Sequence, residues 1–208
     1  MALTDTPSRR RARAQGADLL IALDLDGTLI DARDRQVGVA SEVLADLTGL
    51  ELNQMRFWRA KRGGATTRQA LEQLGHPRPI AIEVAQRWRE RIESDEWLRR
   101  DRALSGTPRA LAGLRAAGVA VAVLTGRRSA EGARLSLRSA GLEDRIDHLF
   151  VVNPVGVVVG KARALRRCQA AVFIGDTESD GAAAQRAEVP FTAVATGQRS
   201  PSHLRAQG

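Results

Sequence analysis

Apolar residues fall along this chain in two rhythms. Residues 19–23 form a short unbroken apolar run that ends at Asp24, with a second carboxylate at Asp26. That is the pattern of a strand buried on both faces. Residues 119–124, 149–152, 172–174 and 191–194 repeat it. Helical stretches separate these runs. Thr107-Pro108 opens one that Gly118 ends, and another runs from near Ser129 to Gly141. A short one follows Gly160-Lys161, and a final one covers about 180–187. Strands alternating with helices of this length predict an α/β fold: a Rossmann-like parallel sheet with helices on both faces.

Residues 32–103 break that alternation. Apolar residues there recur at spacings of three and four, and no strand is predicted. Val39, Val43, Leu44 and Leu47 mark a helix stopped by Gly49; Leu52, Met55 and Trp58 mark a second, stopped by Gly63-Gly64. Thr66 or Thr67 caps a third that ends at Gly75. Pro79 opens a fourth, with Val84, Trp88, Ile92 and Leu98 along one side. The reading is a small helical bundle inserted at the carboxyl end of the first strand. A core made of residues 18–31 and 104–200 surrounds an insert of residues 32–103, behind a mobile basic arm over 1–17. Open α/β sheets bind ligands at that strand edge, so a helical insert there suits a lid.

Composition narrows the function classes. The chain has 208 residues, 43% of them hydrophobic, which suffices for a sizeable core. No apolar run is long enough to span a bilayer, and the N-terminal residues lack the apolar stretch of a secretory signal. Cys168 is the single cysteine, so no internal disulfide forms and a cytoplasmic setting is expected. The net charge of +8 invites a nucleic-acid partner, yet its arginines are scattered through nearly every segment. They cluster only at residues 9–13, and with no tyrosine and 3% aromatics there is no base-stacking platform.

The chemistry collects at the strand ends. Asp24 and Asp26 follow the first strand, Thr125 and Gly126 the second, and Asp176 and Asp180 the strand at 172–174; Lys161 opens a helix nearby. A parallel sheet brings these positions to one rim. Several carboxylates in one crevice do not all stay ionised without a cation. Asp24 and Asp176 with a backbone carbonyl supply oxygen ligands for a hard divalent ion such as Mg²⁺. A lysine and a threonine hydroxyl beside a metal suit a phosphoryl group. Lys161 stands out because Lys61 is the only other lysine in the chain.

Four motifs in order carry a family resemblance: DLDGTLID at 24–31, LTGR at 124–127, Lys161, and GDTESD at 175–180. Over about residues 18–197 the chain resembles the haloacid dehalogenase (HAD) superfamily, and its insert resembles that family's type 1 helical cap. The layout is similar to phosphoglycolate phosphatases. The resemblance implies a Mg²⁺-dependent phosphatase acting on a small phosphate monoester metabolite through an aspartyl-phosphate. It makes Asp24 the nucleophile. Asp26 becomes the acid that protonates the leaving alkoxide and then the base toward water, with its backbone carbonyl on the metal. Thr125, Gly126 and Lys161 hold the phosphoryl oxygens, Asp176 binds the metal, and Asp180 orients metal waters or Lys161. Asp26 favours phosphatases and phosphomutases over dehalogenases and ATPases of the family. The third motif departs from the frequent Lys-Pro, reading Lys161-Ala162 only 15 residues before Asp176. Arg127, Arg128 and Arg163 are alternative cations for that role.

In the insert, Arg59, Lys61, Arg62 and Arg68 flank Gly63-Gly64. They suit a grip on an anionic substrate or, more plainly, a solvated helix end. Trp58, Trp88 and Trp97 read as core of the insert. His76 and His148 read as loop or surface residues, and Cys168 as buried and inert. The alternatives to a phosphatase are a phosphomutase using the same site, a non-catalytic binding module, and a nucleic-acid end-processing phosphatase.

Overall fold

The computed structural model describes residues 19–207, so the basic arm expected over 1–17 lies outside the described residues. The strand-like runs pair into one five-stranded sheet of β1 (Leu20–Leu23), β4 (Ala120–Thr125), β5 (His148–Val151), β6 (Val172–Gly175) and β7 (Phe191–Ala193). Its order is β5-β4-β1-β6-β7 and every pairing in it is parallel. β1 is therefore central, with Leu23 in register with Val123 on one side and Ile174 on the other. This register puts Asp24, Thr125 and Asp176 side by side at the carboxyl edge.

Alternating side chains of the strands feed two cores. Ala22, Leu124, Phe150 and Phe173 pack on one face against α8 (Val157–Cys168) and α9 (Glu178–Ala187). Leu23, Val121 and Val123 pack on the other against α6 (Thr107–Ala116) and α7 (Ala130–Ser139). The sheet is thus covered on both faces, as the near-continuous apolar strands require.

The insert forms a third cluster. It contains α1 (Arg33–Thr48), α2 (Gln54–Arg62), α3 (Thr67–Gln73), α4 (Arg78–Arg91) and α5 (Asp95–Leu98). Val39, Val43, Leu44, Phe57, Leu71, Val84 and Trp97 are its buried centre, with Trp58 and Trp88 packed partly buried against it. Local chemistry sets the helix ends. Gly49 closes α1 in the left-handed region at φ 71°, Asn53 caps α2, and Thr66 with Gln69 forms a capping box on α3.

Several expectations are corrected. The fourth helix stops at Arg91, and Leu98 belongs to the separate α5. Met55 is exposed, so the apolar side of α2 is carried by Phe57 instead. The stretch expected to lack strands ends in β3 (Arg102–Ala103), which pairs antiparallel with β2 (Ile30–Asp31). Two residues are too few to leave a period in the sequence. α8 begins at Val157, so Gly160 and Lys161 lie inside it. His148 sits in β5, its ring tilted against Phe150. Cys168 is only half-buried; burial pushes its thiol pKa up, and it donates to the Leu165 carbonyl. A further helix, α10 (Pro201–Ala206), follows the last strand, with Ser200 as cap and Pro201 at the first helical position.

Candidate active site

At the carboxyl edge, Asp24 leaves β1 with its amide donating to Ile174 O at 2.8 Å. The chain then turns at Gly27, whose φ of 87° suits glycine. A Cβ there would lie 2.5 Å from Asp176 Oδ2 and 2.6 Å from Gly197 Cα, so the close approach also demands glycine. Asp176 follows β6, and Asp180 sits in the first turn of α9. Asp180 Oδ2 accepts from Thr177 Oγ1 at 2.6 Å and from Thr177 N at 3.1 Å, which closes a capping box. Lys161 projects from α8 and its Nζ donates to Asp24 Oδ1 at 2.5 Å and Asp180 Oδ1 at 2.6 Å. All four groups are buried. Thr125 is buried at the end of β4, and a Cβ on Gly126 would press within 2.8 Å of Val157.

Carboxylate oxygens of Asp24, Asp176 and Asp180 lie within 4.8 Å of one another. The Lys161 ammonium bonds two of these three carboxyl groups, Asp24 and Asp180. Asp176 Oδ1 is buried with no hydrogen-bond partner, while its Oδ2 accepts from Gln198 N at 2.6 Å. A buried carboxylate oxygen left without a donor is costly. Hard oxygen donors in a charge-deficient cluster fit a divalent cation.

The electrostatics say the same. Burial raises Asp176 to about 8, with the Asp24 charge adding to it. Burial likewise raises Asp24 to about 7, against the opposing pull of Lys161. Lys161 is itself held above the ordinary lysine range, because Asp24 and Asp180 overcome its own burial. A carboxyl raised on folding binds its proton in the folded state when the unfolded chain has already lost it. Its contribution is therefore full at low pH and is lost as pH climbs from about 4 to about 8. Without divalent ion, thermal stability is expected to fall across that window. Added Mg²⁺ should raise Tm more at pH 8 than at pH 6, because at pH 6 protons already neutralise the cluster. Scanning calorimetry at the two pH values checks this; an equal Mg²⁺ effect at both contradicts it.

Asp26 does not join the triad. Its carboxylate is turned to two arginines, accepting from Arg127 Nε at 2.9 Å and Nη2 at 2.8 Å and from Arg35 Nη2. Burial alone would raise its pKa, but Arg127 and Arg35 together hold the carboxyl well below the usual range. Both arginines are anchored on Asp101. Arg35 Nε donates to Asp101 Oδ1 at 2.9 Å, Arg127 Nη2 reaches Oδ2 at 3.2 Å, and Ser136 Oγ donates to Oδ2 at 2.6 Å. Arg35 lies on the first helix of the insert and Asp101 just after its last, so this network joins both connections of the insert to Asp26. Sequence reasoning missed Arg35 and Asp101, which are 66 residues apart. It named Arg127 only as a stand-in for Lys161.

The insert's basic residues separate. Arg59 is exposed and lines a cleft of about 520 Å³ with Met55, Trp58, Arg62, Gly63, Ser200 and Ser202; no carboxylate of the triad lines it. Arg62 donates to Ala195 O at 2.8 Å and Gly197 O at 3.2 Å, and its own carbonyl accepts from Ser200 N at 2.9 Å. Arg68 pairs with Glu72. Lys61 is buried, with Nζ 3.3 Å from Thr67 Oγ1. Arg128 pairs with Glu93. The segment 195–200 thus runs from Asp176 to the end of α2, and Arg199 ties Glu178 at 2.6 Å to the Lys61 carbonyl at 3.2 Å.

Comparison with known proteins adds the family. Residues 19–188 match the family model of haloacid dehalogenase-like hydrolases. No curated protein matches the sequence. Solved structures share the fold. A protein described as a predicted phosphatase from Clostridium acetobutylicum has a TM-score of 0.69 and 16% identity, over 93% of this chain and 92% of that one. A haloacid dehalogenase-like family hydrolase from Streptococcus pneumoniae has 0.69 and 17%, over 91% and 90%. A HAD family hydrolase from Deinococcus radiodurans, solved with bound phosphate and sodium, has 0.63 and 24%, over 92% and 88%.

Proposed function

The chain belongs to the haloacid dehalogenase-like hydrolase family, and on that premise we propose that it is a metal-dependent phosphatase cleaving a small phosphate monoester at Asp24. The observation that carries this reading is the buried cluster of Asp24, Asp176 and Asp180, with Lys161 Nζ bonded to Asp24 and Asp180. The description of a similar fold as a phosphatase, and phosphate bound to another, support it.

In this reading an Asp24 carboxylate oxygen attacks phosphorus in line, and the bond from phosphorus to the ester oxygen breaks. The departing alkoxide takes a proton from Asp26. Water then attacks the phosphorus of the aspartyl-phosphate and gives a proton to Asp26, and the bond to Asp24 breaks. Lys161 and Thr125 hold the phosphoryl oxygens. Asp24, Asp176 and the Asp26 backbone carbonyl would hold Mg²⁺, with Asp180 behind them. The ion, when bound, supplies positive charge against the phosphoryl oxygens and the carboxylates.

Asp26 is paired as a carboxylate with Arg35 and Arg127, so it must leave them before it donates a proton. Arg35 belongs to the insert, which gives movement of the insert a direct hold on the acid. That fits a cap over the site, formed by residues 32–103.

The test is phosphate release from a panel of small monoesters with Mg²⁺ and with EDTA. Release from at least one member that EDTA abolishes is the expected result. Release insensitive to EDTA, or isomerised sugar phosphate without free phosphate, overturns the reading.

A further inference from the structure

The insert meets the core a second time, far in sequence from its two covalent connections. Arg62, at the end of α2, forks onto two backbone carbonyls, Ala195 O at 2.8 Å and Gly197 O at 3.2 Å. Its own carbonyl accepts from Ser200 N at 2.9 Å. Arg199 donates to the Lys61 carbonyl at 3.2 Å and pairs with Glu178 on α9. His203 of α10 lies so close to Gly64 that a Cβ there would collide with its ring. Residues 195–203 thus form a strap that grips α2 and the loop after it.

The same strap holds Asp176. Among the described residues, Gln198 N is the one hydrogen-bond donor to the Asp176 carboxylate, at 2.6 Å from Oδ2. A Cβ on Gly197 would collide with Asp176 Oδ2 and Gly27 Cα, so the backbone of residue 197 lies directly against that carboxylate. Thr196 Oγ1 donates to the Gly27 carbonyl at 2.6 Å and ties the strap to the turn after Asp24. The Gly197 carbonyl and the Gln198 N–H belong to one peptide unit, which is rigid and planar. The guanidinium of Arg62 therefore bonds one edge of a plane whose other edge bonds Asp176. A cation on the carbonyl polarises the N–H and strengthens its bond to the carboxylate. With Oδ2 held there, Oδ1 is the oxygen left buried and without a partner, and so the one with capacity for a cation.

Building on the metal-dependent phosphatase reading, we propose that Arg62 is a positioning residue for the metal centre: through the Gly197–Gln198 peptide it orients the Asp176 carboxylate, so that docking of α2 on the strap and binding of the divalent ion favour each other. The coupling is reciprocal. An insert docked on the strap presents Asp176 ready for the ion, and the ion, by fixing Asp176, steadies the peptide that Arg62 grips. Arg62 touches neither the ion nor the reacting atoms in this role. Loss of its side chain loosens one seam only, because the insert keeps its own buried centre.

The test is isothermal titration of Mg²⁺ into the full chain, for wild type, Arg62→Met and the milder Arg62→Gln. Asp176→Asn and Arg87→Met are controls; Arg87 is a surface residue of α4 paired with Glu83. Both Arg62 variants are expected to raise Kd for Mg²⁺ by about fivefold or more, the size of coupling between linked sites. Arg87→Met should leave it unchanged. Hydrogen exchange read by mass spectrometry measures the reciprocal effect. Mg²⁺ should slow exchange over residues 60–66 in wild type and no longer do so in Arg62→Met. An Arg62 that serves stability alone would lower Tm in EDTA and move neither readout. Unchanged Mg²⁺ affinity in both Arg62 variants overturns the proposal, as does exchange over 60–66 that ignores Mg²⁺ in wild type. Failure of wild type to bind Mg²⁺, or binding that Asp176→Asn leaves intact, overturns the metal site of the phosphatase reading and this proposal with it. Binding that needs Asp176 but not Arg62 overturns only the role of Arg62.

Discussion

Asp24→Asn is expected to lower kcat by at least about a thousandfold, equivalent to roughly 4 kcal/mol of transition-state stabilisation. The amide retains the shape of the carboxylate but supplies no anionic oxygen to attack phosphorus. The fold should survive. The mutation removes one of the charges that crowd Asp176 and raise its pKa, so Tm without metal should hold or rise. That combination separates a nucleophile from a structural carboxylate: a residue needed for folding loses stability and activity together. Stopped-time phosphate release and calorimetry on one preparation measure both. Turnover within about tenfold of wild type contradicts the assignment.

Lys161→Ala should act on both quantities at once. Among the described residues the ammonium is the one cation bonded to Asp24 and Asp180, and both bonds are short and buried. Removing one partner of a buried ion pair leaves uncompensated charge, and a loss of about 3–5 kcal/mol of folding stability is expected near neutral pH. Asp24 responds by holding its proton to higher pH, which also silences it as a nucleophile. Mg²⁺ should recover part of the lost stability, because the ion neutralises the same carboxylates. Urea denaturation with and without Mg²⁺ checks this. A midpoint unchanged from wild type, or near-normal turnover, shows that another cation serves the phosphoryl group.

Much of this architecture was legible in the sequence, for a physical reason. Strands buried on both faces must be apolar, so residues 19–23, 119–124 and 172–174 announced themselves. A carboxylate directly after such a strand has no packing use, which made Asp24 and Asp176 conspicuous. Lys161 was conspicuous because the chain otherwise uses arginine. What was not legible rests on long-range pairing. Arg35 and Arg127 converge on Asp26 and are both held by Asp101, from three separated stretches of the chain, and nothing local to any of them signals it. The bonds of Arg62 to residues 195 and 197 span more than 130 residues and use backbone carbonyls, which have no sequence identity. The start of α8 was hidden because β-branched residues such as Val157–Val159 are weak helix formers, and Gly156 in the left-handed region precedes it. The basic residues around Lys61 could be named, but not their separate fates, Arg68 on Glu72, Arg62 on backbone carbonyls and Lys61 buried, since pairing is a property of the folded neighbours.

The central claim is that phosphorus passes through a covalent bond to Asp24. The most direct measurement is rapid acid quench of the enzyme during turnover of the best monoester with Mg²⁺, followed by peptide mass spectrometry. A phosphoryl group on the peptide and residue of Asp24 in wild type, absent from Asp24→Asn, is the predicted result. Phosphate release that proceeds with Asp24 unmodified at every quench time, and that persists in the variant, would contradict it.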